Sequence, residues 1–475
     1  MDFNFFGTNV SKGLFIVFLQ ILFFGANAQS DELKIYKDLE WRSPIPRFQA
    51  LGVNPEYLYE LANEQIALLV YPEEKLSIGR AGDEKVFNNA RFVSAFTVID
   101  APVKEVRGLI KDYASYSDVM PRTEKATIIQ KAGRHSLVEY LLVFKLPVMA
   151  VKIKYVFQYT EENNGDISIR IHEGSGEDGA SRWEFIPLDN GQTLLVYTTW
   201  NNLDNSGYFF KAIVNAQPGL KTTIPEISAI LAIDAIKKQF IKDNKNTKST
   251  NDKFPFIQEL KALKKPSNKI LPQTPVFNTE ERKAIGLLSE FGMVLVLHPK
   301  RNFKESSNKV TKLEYISLIN KVHTSVKDNQ DMVLDFDSYV EFLPQLDQIL
   351  HKKTGAGFYS DWYLKYKFGI FTLPVQFSLD YFWLGKDSIY FYLDNGDFES
   401  YYGSLFWYSI DNKNTDIFFQ YTLAINIGSD LPFSLKVLNK MPRQSLLSGL
   451  FMGTSFVEPQ KQWIENQKKI KTNKK

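Results

Sequence analysis

Asp112-Tyr113-Ala114-Ser115-Tyr116-Ser117-Asp118-Val119-Met120-Pro121 returns later in the chain as Asp335-Phe336-Asp337-Ser338-Tyr339-Val340-Glu341-Phe342-Leu343-Pro344. Asp, Ser, Tyr and Pro coincide, Tyr113 pairs with Phe336, and the shift is 335 minus 112, or 223 positions. Other matches keep the same order. Ala67-Leu68-Leu69-Val70-Tyr71-Pro72 answers to Val294-Leu295-Val296-Leu297-His298-Pro299, and Phe144-Lys145-Leu146-Pro147 to Phe371-Thr372-Leu373-Pro374, both at a shift of 227. Gly179 to Trp183 answers to Gly403 to Trp407, and Tyr197-Thr198 to Tyr421-Thr422, both at 224. A collinear series with so little drift reads as duplication with short loop insertions. The period is too long for a solenoid, so each copy is a whole domain.

The 475 residues are 44% hydrophobic and 23% charged, an ordinary globular composition. A net charge of +3 argues against a dedicated nucleic-acid binder, which needs a concentrated basic face. Cysteine is absent, which excludes thiol catalysis, disulfides, cysteine metal sites and a lipoprotein anchor. The N-terminus reads as an export signal. Lys12 precedes an apolar run from Leu14 to Phe24, and Ala26-Asn27-Ala28 gives a small-x-small cleavage pattern. That run is shorter than the roughly 20 residues needed to span a bilayer. The expected location is therefore outside the cytoplasm, in a bacterial periplasm.

The expected organisation is a signal at 1–28, a polar lead-in at 29–58, one domain at 59–241, a surface linker at 242–280, a second domain at 281–465 and a solvated basic tail at 466–475. Copy one opens with short strands at Ile66–Val70 and Phe92–Ile99. Asp100 is the expected N-cap of a helix through Val103, Val106 and Ile110. A short helix at Tyr113–Val119 leads into strands marked by Val138, Tyr140, Leu142 and Phe144, by Val151 to Tyr159, by Ile167 to Ile171, by Trp183 and Phe185, and by Thr193–Trp200. Ile224 to Phe240 then reads as a long amphipathic helix. Copy two repeats this order, with helices around Met332–Leu343, strands at Trp362–Phe371, Val375–Trp383, Ser388–Leu393, Ser404–Ile410 and Asp416–Ile427, and a closing helix after Pro442. Ser325-Val326 stands where copy one has Ala101-Pro102, which predicts a weaker helix opening. The uncharged run Ser388–Leu393 predicts a face buried against the other copy. A short amphipathic piece, Phe256–Leu263, lies within the linker. The fold class is thus α+β, each copy a curved antiparallel sheet wrapped around its long C-terminal helix.

The stretch from Phe92 through Lys238 resembles the START-like, or SRPBCC, helix-grip domains of the polyketide-cyclase/coenzyme Q-binding type. The strand ending in Ile99-Asp100-Ala101-Pro102, the helix Val103–Ile110, the Asp112-Tyr113, Tyr116 and Met120-Pro121 signature, the Trp183 strand and the closing helix carry the resemblance. Copy two resembles the same pattern at Asp335-Phe336, Tyr339, Pro344, Trp407 and Tyr421. The resemblance implies a hydrophobic ligand held between sheet and helix, with transient membrane contact and no cofactor. Together with the export signal and the aromatic inner faces, it implies an exported binder or carrier of a lipid-like molecule. The alternatives are a cyclase- or hydrolase-like enzyme in the same cavity, or an interaction scaffold with filled cavities.

The signature Asp112, Tyr116 and Pro121 is expected to fix a helix–helix–strand corner rather than to touch ligand. Pocket candidates from strand periodicity are Tyr140, Phe144, Tyr155, Phe157, Trp183 and Tyr197 in copy one, and Trp362, Tyr366, Phe377, Tyr381, Trp383 and Tyr421 in copy two; the cleaner family pattern of copy one makes it the expected binder. The match at 227 sets Tyr140 against Lys367, whereas alternation turns Tyr366 inward; a bulge at Gly369 would reconcile them. His135, His172, His298, His323 and His351 are scattered without metal spacing, and solvated histidine is the expectation for most. Gly174 to Gly179 is glycine-rich but lies between strands, where it opens no helix. Arg170 and Glu173 are candidate headgroup handles, with exposure the default.

Overall fold

Ile66 to Val70 holds no polar side chain, so a strand there must be covered on both faces. The computed structural model describes residues 33–80, 82–145, 150–174, 178–202, 220–241, 271–304, 310–355, 357–368, 371–409, 415–427 and 444–473. Strand β1 (Ile66–Val70) pairs antiparallel with β11 (Met293–Leu297), placing Leu68 opposite Leu295 and Ile66 opposite Leu297. Leu68 and Leu295 are repeat equivalents at the shift of 227, so the register is symmetric about that pair. The two copies meet as the halves of an isologous dimer meet, each offering the same strand to the other. The approach is close enough that a Cβ on Gly292 would collide with the Val70 carbonyl. Residues Ile35–Lys475 accordingly form one compact unit.

Copy one contributes β4 (Val93–Ile99), β5 (Thr123–Ala132), β6 (His135–Lys145), β7 (Ala150–Glu161), β8 (Ile167–Glu173), β9 (Gly179–Pro187) and β10 (Thr193–Asn201). Copy two contributes β14 (Ile316–Val322), β15 (Leu346–Lys353), β16 (Gly357–Phe368), β17 (Phe371–Gly385), β18 (Ser388–Gly396), β19 (Ser400–Ser409) and β20 (Ile417–Asn426). Among the described residues these make one sixteen-stranded sheet, ordered β15-β16-β17-β18-β19-β20-β14-β11-β1-β4-β10-β9-β8-β7-β6-β5. Read outward from the join, the two halves have the same order. The edge strands β5 and β15 carry bulges at equivalent places, between Thr123 and Lys125 and between Leu346 and Gln348. Two hairpins are inserted at equivalent points, β2 (Glu74–Arg80) with β3 (Asp83–Ala90), and β12 (Arg301–Lys304) with β13 (Val310–Leu313).

Helices cover both faces of the centre. α1 (Pro44–Ala50), α2 (Tyr57–Ala62) and α6 (Thr279–Ser289) lie on the outer face, where Phe48, Leu58, Leu61, Ala284, Ile285 and Leu288 pack against Ala67, Leu69, Val294 and Val296. The long helices α5 (Leu220–Phe240) and α9 (Gln444–Asn473) close the inner faces of copy one and copy two, and they meet where Thr223 Oγ1 lies 3.1 Å from Thr454 Oγ1. Each copy has the helix-grip order of strand, short helices, meander and closing helix, α3 (Val103–Lys111) and α4 (Tyr116–Val119) being answered by α7 (Val326–Val333) and α8 (Tyr339–Phe342).

Several expectations need correction. Asp100 does not cap α3; Pro102 takes that position without a side-chain bond. Ser325 caps α7 through its hydroxyl, which accepts from Asp328 N, so the copy-two opening is the better capped one. The lead-in is not merely polar, since Ile45 and Phe48 enter the core. Residues 271–278 are no free surface linker either. They cross the outer face of copy two, burying Pro272, Thr274, Pro275 and Phe277, and Tyr390 OH donates to Pro272 O at 2.7 Å. The uncharged run Ser388–Leu393 of β18 is therefore covered by this strap on one side, where Tyr390 and Tyr392 pack, and by the inner core on the other, where Ile389 and Phe391 pack, not by copy one. The expected strand Trp362–Phe371 is broken, because Phe368 pairs with Phe371 across a hairpin. His172 and His298 are buried, and burial holds His298 down at about 3. The basic tail continues α9 as helix to Asn473. The signal at 1–28, Phe256–Leu263, Gly369 and the middle of the Gly174–Gly179 loop lie outside the described residues.

The repeated signature makes the corner. Tyr116 OH donates to Ile110 O at 2.7 Å, and Tyr339 OH donates to Val333 O at 2.7 Å, both inside the core. Each hydroxyl satisfies a carbonyl at the end of the preceding helix, where no helical amide reaches it. Replacing Tyr116 or Tyr339 by Phe leaves that carbonyl buried and unpaired, so each variant is expected to lose about 1–3 kcal/mol in urea unfolding without changing the slope.

Candidate functional site: the sheet-to-helix interior of copy two

Between the copy-two sheet and α9 lies a cavity of about 40 Å³. The sheet supplies Trp362, Phe377, Leu379, Tyr381, Tyr401, Leu405, Phe419 and Tyr421; the corner supplies Val333, Leu334, Phe336 and Tyr339; α9 supplies Phe456, Val457 and Gln460. Alternation explains the sheet set, because every second residue of an antiparallel strand turns inward. The rings brace one another. Trp362 stacks on Phe377 with centroids 5.9 Å apart and meets Phe456 edge-on at 5.5 Å, while Phe391 stacks on Tyr421 at 5.7 Å. Gln460 Nε2 donates to Tyr339 OH at 2.8 Å, and the Tyr401 and Tyr421 hydroxyls are 2.6 Å apart. Burial raises all four tyrosines, Tyr339, Tyr381, Tyr401 and Tyr421, above their usual range, so their hydroxyls remain protonated and serve as donors. The Tyr401–Tyr421 bond uses one of two hydroxyl protons and leaves the other for an acceptor.

Cross-strand register identifies the equivalents in copy one. Ile349 pairs with Trp362 as Ala126 pairs with Tyr140, so Tyr140 corresponds to Trp362 and Phe144 to Tyr366, both at a shift of 222. This replaces the Tyr140–Lys367 match and needs no bulge. The Phe144–Phe371 match is fortuitous, since Phe144 lies near the end of β6 and Phe371 begins β17. Tyr197 pairs with Trp183 as Tyr421 pairs with Leu405, so Trp183 corresponds to Leu405, and Trp407 to Phe185. Copy one therefore carries an indole where copy two carries a leucine beside its cavity. Trp183 lies against Tyr197 at 4.2 Å, and Tyr140 OH is 2.9 Å from Tyr159 OH.

The helix-grip order of elements is present twice. No protein-family model matches the chain, and no curated protein matches it. Among solved structures, an aromatase/cyclase from Streptomyces sp. R1128 is 18% identical, covering 32% of this chain and 93% of its own, at a TM-score of 0.27. The di-domain aromatase/cyclase StfQ of the steffimycin biosynthetic pathway is 8% identical over 78% of this chain and 98% of its own, at 0.24. A STAR-related lipid transfer protein from Xanthomonas axonopodis is 14% identical over 34% and 93%, at 0.25.

Of the expected pocket residues, Trp362, Phe377, Tyr381 and Tyr421 line the cavity of the second copy. Tyr366 is in the core without lining it, and Trp383 packs on Trp407 at 6.4 Å. In the first copy Tyr140 and Trp183 are buried in the core, with Phe157 and Tyr197 packed against it, and Tyr155 stacks on Phe157. The Phe144 side chain lies outside the described residues. Sequence reading missed the α9 residues and assigned Phe336 and Tyr339 to the corner alone, although both also face the cavity. The one signal available was the helix-period spacing of Phe456, Val457 and Gln460.

The candidate headgroup handles lie elsewhere. Arg170 is buried on the outer face of the first copy, its guanidinium 5.0 Å from the Trp41 ring centre, with Arg182 at 5.8 Å from the same ring. Arg182 pairs with Asp166 at 2.6 Å. Burial lowers Arg170 to about 10 and raises the neighbouring Glu184 to about 7. Glu173 is half-buried. This charged patch sits beneath the 33–43 segment where the second copy has Tyr390 and Tyr392 beneath the 271–278 strap. Since Glu184 binds its proton more tightly folded than unfolded, its contribution is full below about pH 4.5 and is lost as pH rises to about 7. Glu184→Gln is expected to flatten the pH dependence of unfolding over that window by on the order of 2 kcal/mol and to be the more stable protein at pH 8.

Proposed function

We propose that the chain is an exported binder or carrier of a hydrophobic, lipid-like small molecule, and that the second copy holds it. The observation that carries this reading is the cavity itself: an aromatic-walled void, with a hydroxyl pair and one amide, in an interior that close packing would otherwise fill. Burial of apolar surface at about 25 cal/mol per Å² supplies the driving force for an acyl or ring system. The hydroxyl left over at Tyr401–Tyr421 offers a single hydrogen bond to an acceptor on the ligand. At about 40 Å³ the cavity is in a closed form, far below the roughly 300–1,000 Å³ of drug-sized pockets. Loading therefore needs α9 to move away from the sheet, and a membrane surface is the natural place for the exchange. Export is supported by the N-terminal pattern around Ala26-Asn27-Ala28.

A second reading has its own support. The first copy packs Trp183 against Tyr197 at the equivalent place, within its core, and a scaffold role for the whole chain follows if the second copy never opens.

Leu405→Trp separates the two. Copy one shows that the fold accepts an indole at this position, so the variant is expected to keep its circular dichroism and fill the cavity. Titration with the neutral fluorophore N-phenyl-1-naphthylamine should show saturable binding to the wild type and at least a tenfold weaker affinity for Leu405→Trp. Absence of binding to the wild type, together with no lipid in native mass spectra of protein purified from its own envelope, would leave the scaffold reading standing.

A further inference from the structure

We infer that copy one latches the cavity of copy two: Arg91 of copy one holds the stretch of α9 that roofs the cavity, and Glu226 is the carboxyl poised to take Arg91 away. The inference rests on the ligand-binding reading for its purpose, but its geometry stands independently of any ligand.

Arg91 lies between β3 and β4. Its Nη1 and Nη2 grip the two carboxylate oxygens of Glu458 at 2.6 and 2.5 Å, a fork that fixes direction as well as distance. Glu458 sits on α9 among the cavity residues Phe456, Val457 and Gln460. The next residue, Pro459, has no amide, so the carbonyl of Ser455 loses its helical partner and α9 has a weak turn at the roof. A helix weakened there needs an external hold, and copy one provides it.

Glu226 follows Pro225 in α5 and is fully buried. Neither of its carboxylate oxygens has a hydrogen-bond partner. The charged groups acting on it are Glu458 from α9 and Arg91 from the β3–β4 junction, and Glu73 lies on the far side of Arg91 at 3.9 Å. Burial, with Glu458 adding to it, raises Glu226 well above the ordinary carboxyl range, which keeps it neutral while Arg91 serves Glu458. When Glu226 ionises, one guanidinium faces two carboxylates, Glu226 buried and Glu458 half-buried, and its hold on α9 is shared. Rising pH therefore loosens the roof.

The test has one arm with ligand and one without. In hydrogen exchange, the amides of residues 456–464 should exchange at least tenfold faster in Glu458→Gln than in the wild type. The charge-swapped double variant Arg91→Glu/Glu458→Arg should restore protection, which guards against simple misfolding. In stopped flow, N-phenyl-1-naphthylamine should enter Glu458→Gln at least tenfold faster than the wild type. Entry into the wild type should accelerate as pH rises, and Glu226→Gln should abolish that acceleration. Unchanged α9 exchange in Glu458→Gln overturns the latch, as does a pH profile that survives Glu226→Gln. If the probe binds no variant while α9 protection follows the latch, the ligand reading fails and the latch stands.

Discussion

The pairing of β1 with β11 is the constraint on which the rest of the molecule depends. Two five-residue strands without a polar side chain have nowhere to go except the centre of a sheet covered on both sides. Each supplies the edge that the other lacks, and the symmetric register about Leu68 and Leu295 then fixes the position of everything outward of it. The helices that cover the centre from outside, α2 and α6, are brought together by the same symmetry, with Gln65 Nε2 donating to Glu281 Oε1 at 3.0 Å. On the inside, it is this join that sets α5 beside α9 and lets a residue of one copy reach the closing helix of the other.

On that symmetric frame the copies have diverged in their filling. Paired hydroxyls on the outer face survive in both, Ser94 with Thr198 at 2.8 Å and Ser317 with Thr422 at 2.7 Å. The inner faces differ by ring for ring and ring for aliphatic exchange: Tyr140 for Trp362, Tyr155 for Phe377, Phe157 for Leu379, Trp183 for Leu405. The outer faces differ more, a buried arginine, a half-buried one and a carboxyl under one strap, tyrosines under the other. The backbone tolerates such exchange because sheet register is set by the pattern of faces, not by the identity of each side chain.

Much of this was legible in the sequence, for physical reasons that can be named. The corner signature repeats because two tyrosine hydroxyls must reach two helix-end carbonyls, and the inner strands alternate because one face is buried. Of the strands that escaped notice, β5, β15 and the β2–β3 and β12–β13 hairpins are edge or surface elements that carry charges, and bulges break the alternation of β5 and β15, whereas β14 is central and was passed over. Phe144 and Phe371 matched as letters but sit on successive strands, an error that cross-strand pairing alone reveals. Trp183 and Trp407 were matched two residues out of register, which leaves both on the inner face and so gave no sign of the error. The α9 side of the cavity was hidden for a different cause. Its roof comes from α9, and nothing in a helical period says which sheet residue it will meet.

Among the described residues the sixteen-stranded sheet ends at two edges, and both belong to the same element, β5 in one copy and β15 in the other. Each is bulged at the same point and carries lysines along it, Lys125 and Lys131 on one, Lys352 and Lys353 on the other. Bulges and lysines are what discourage a further strand from docking. Fusing two copies through their opposite edges thus used up the adhesive strands in one internal bond and left a particle terminated identically at both ends, closed to growth by the very duplication that built it.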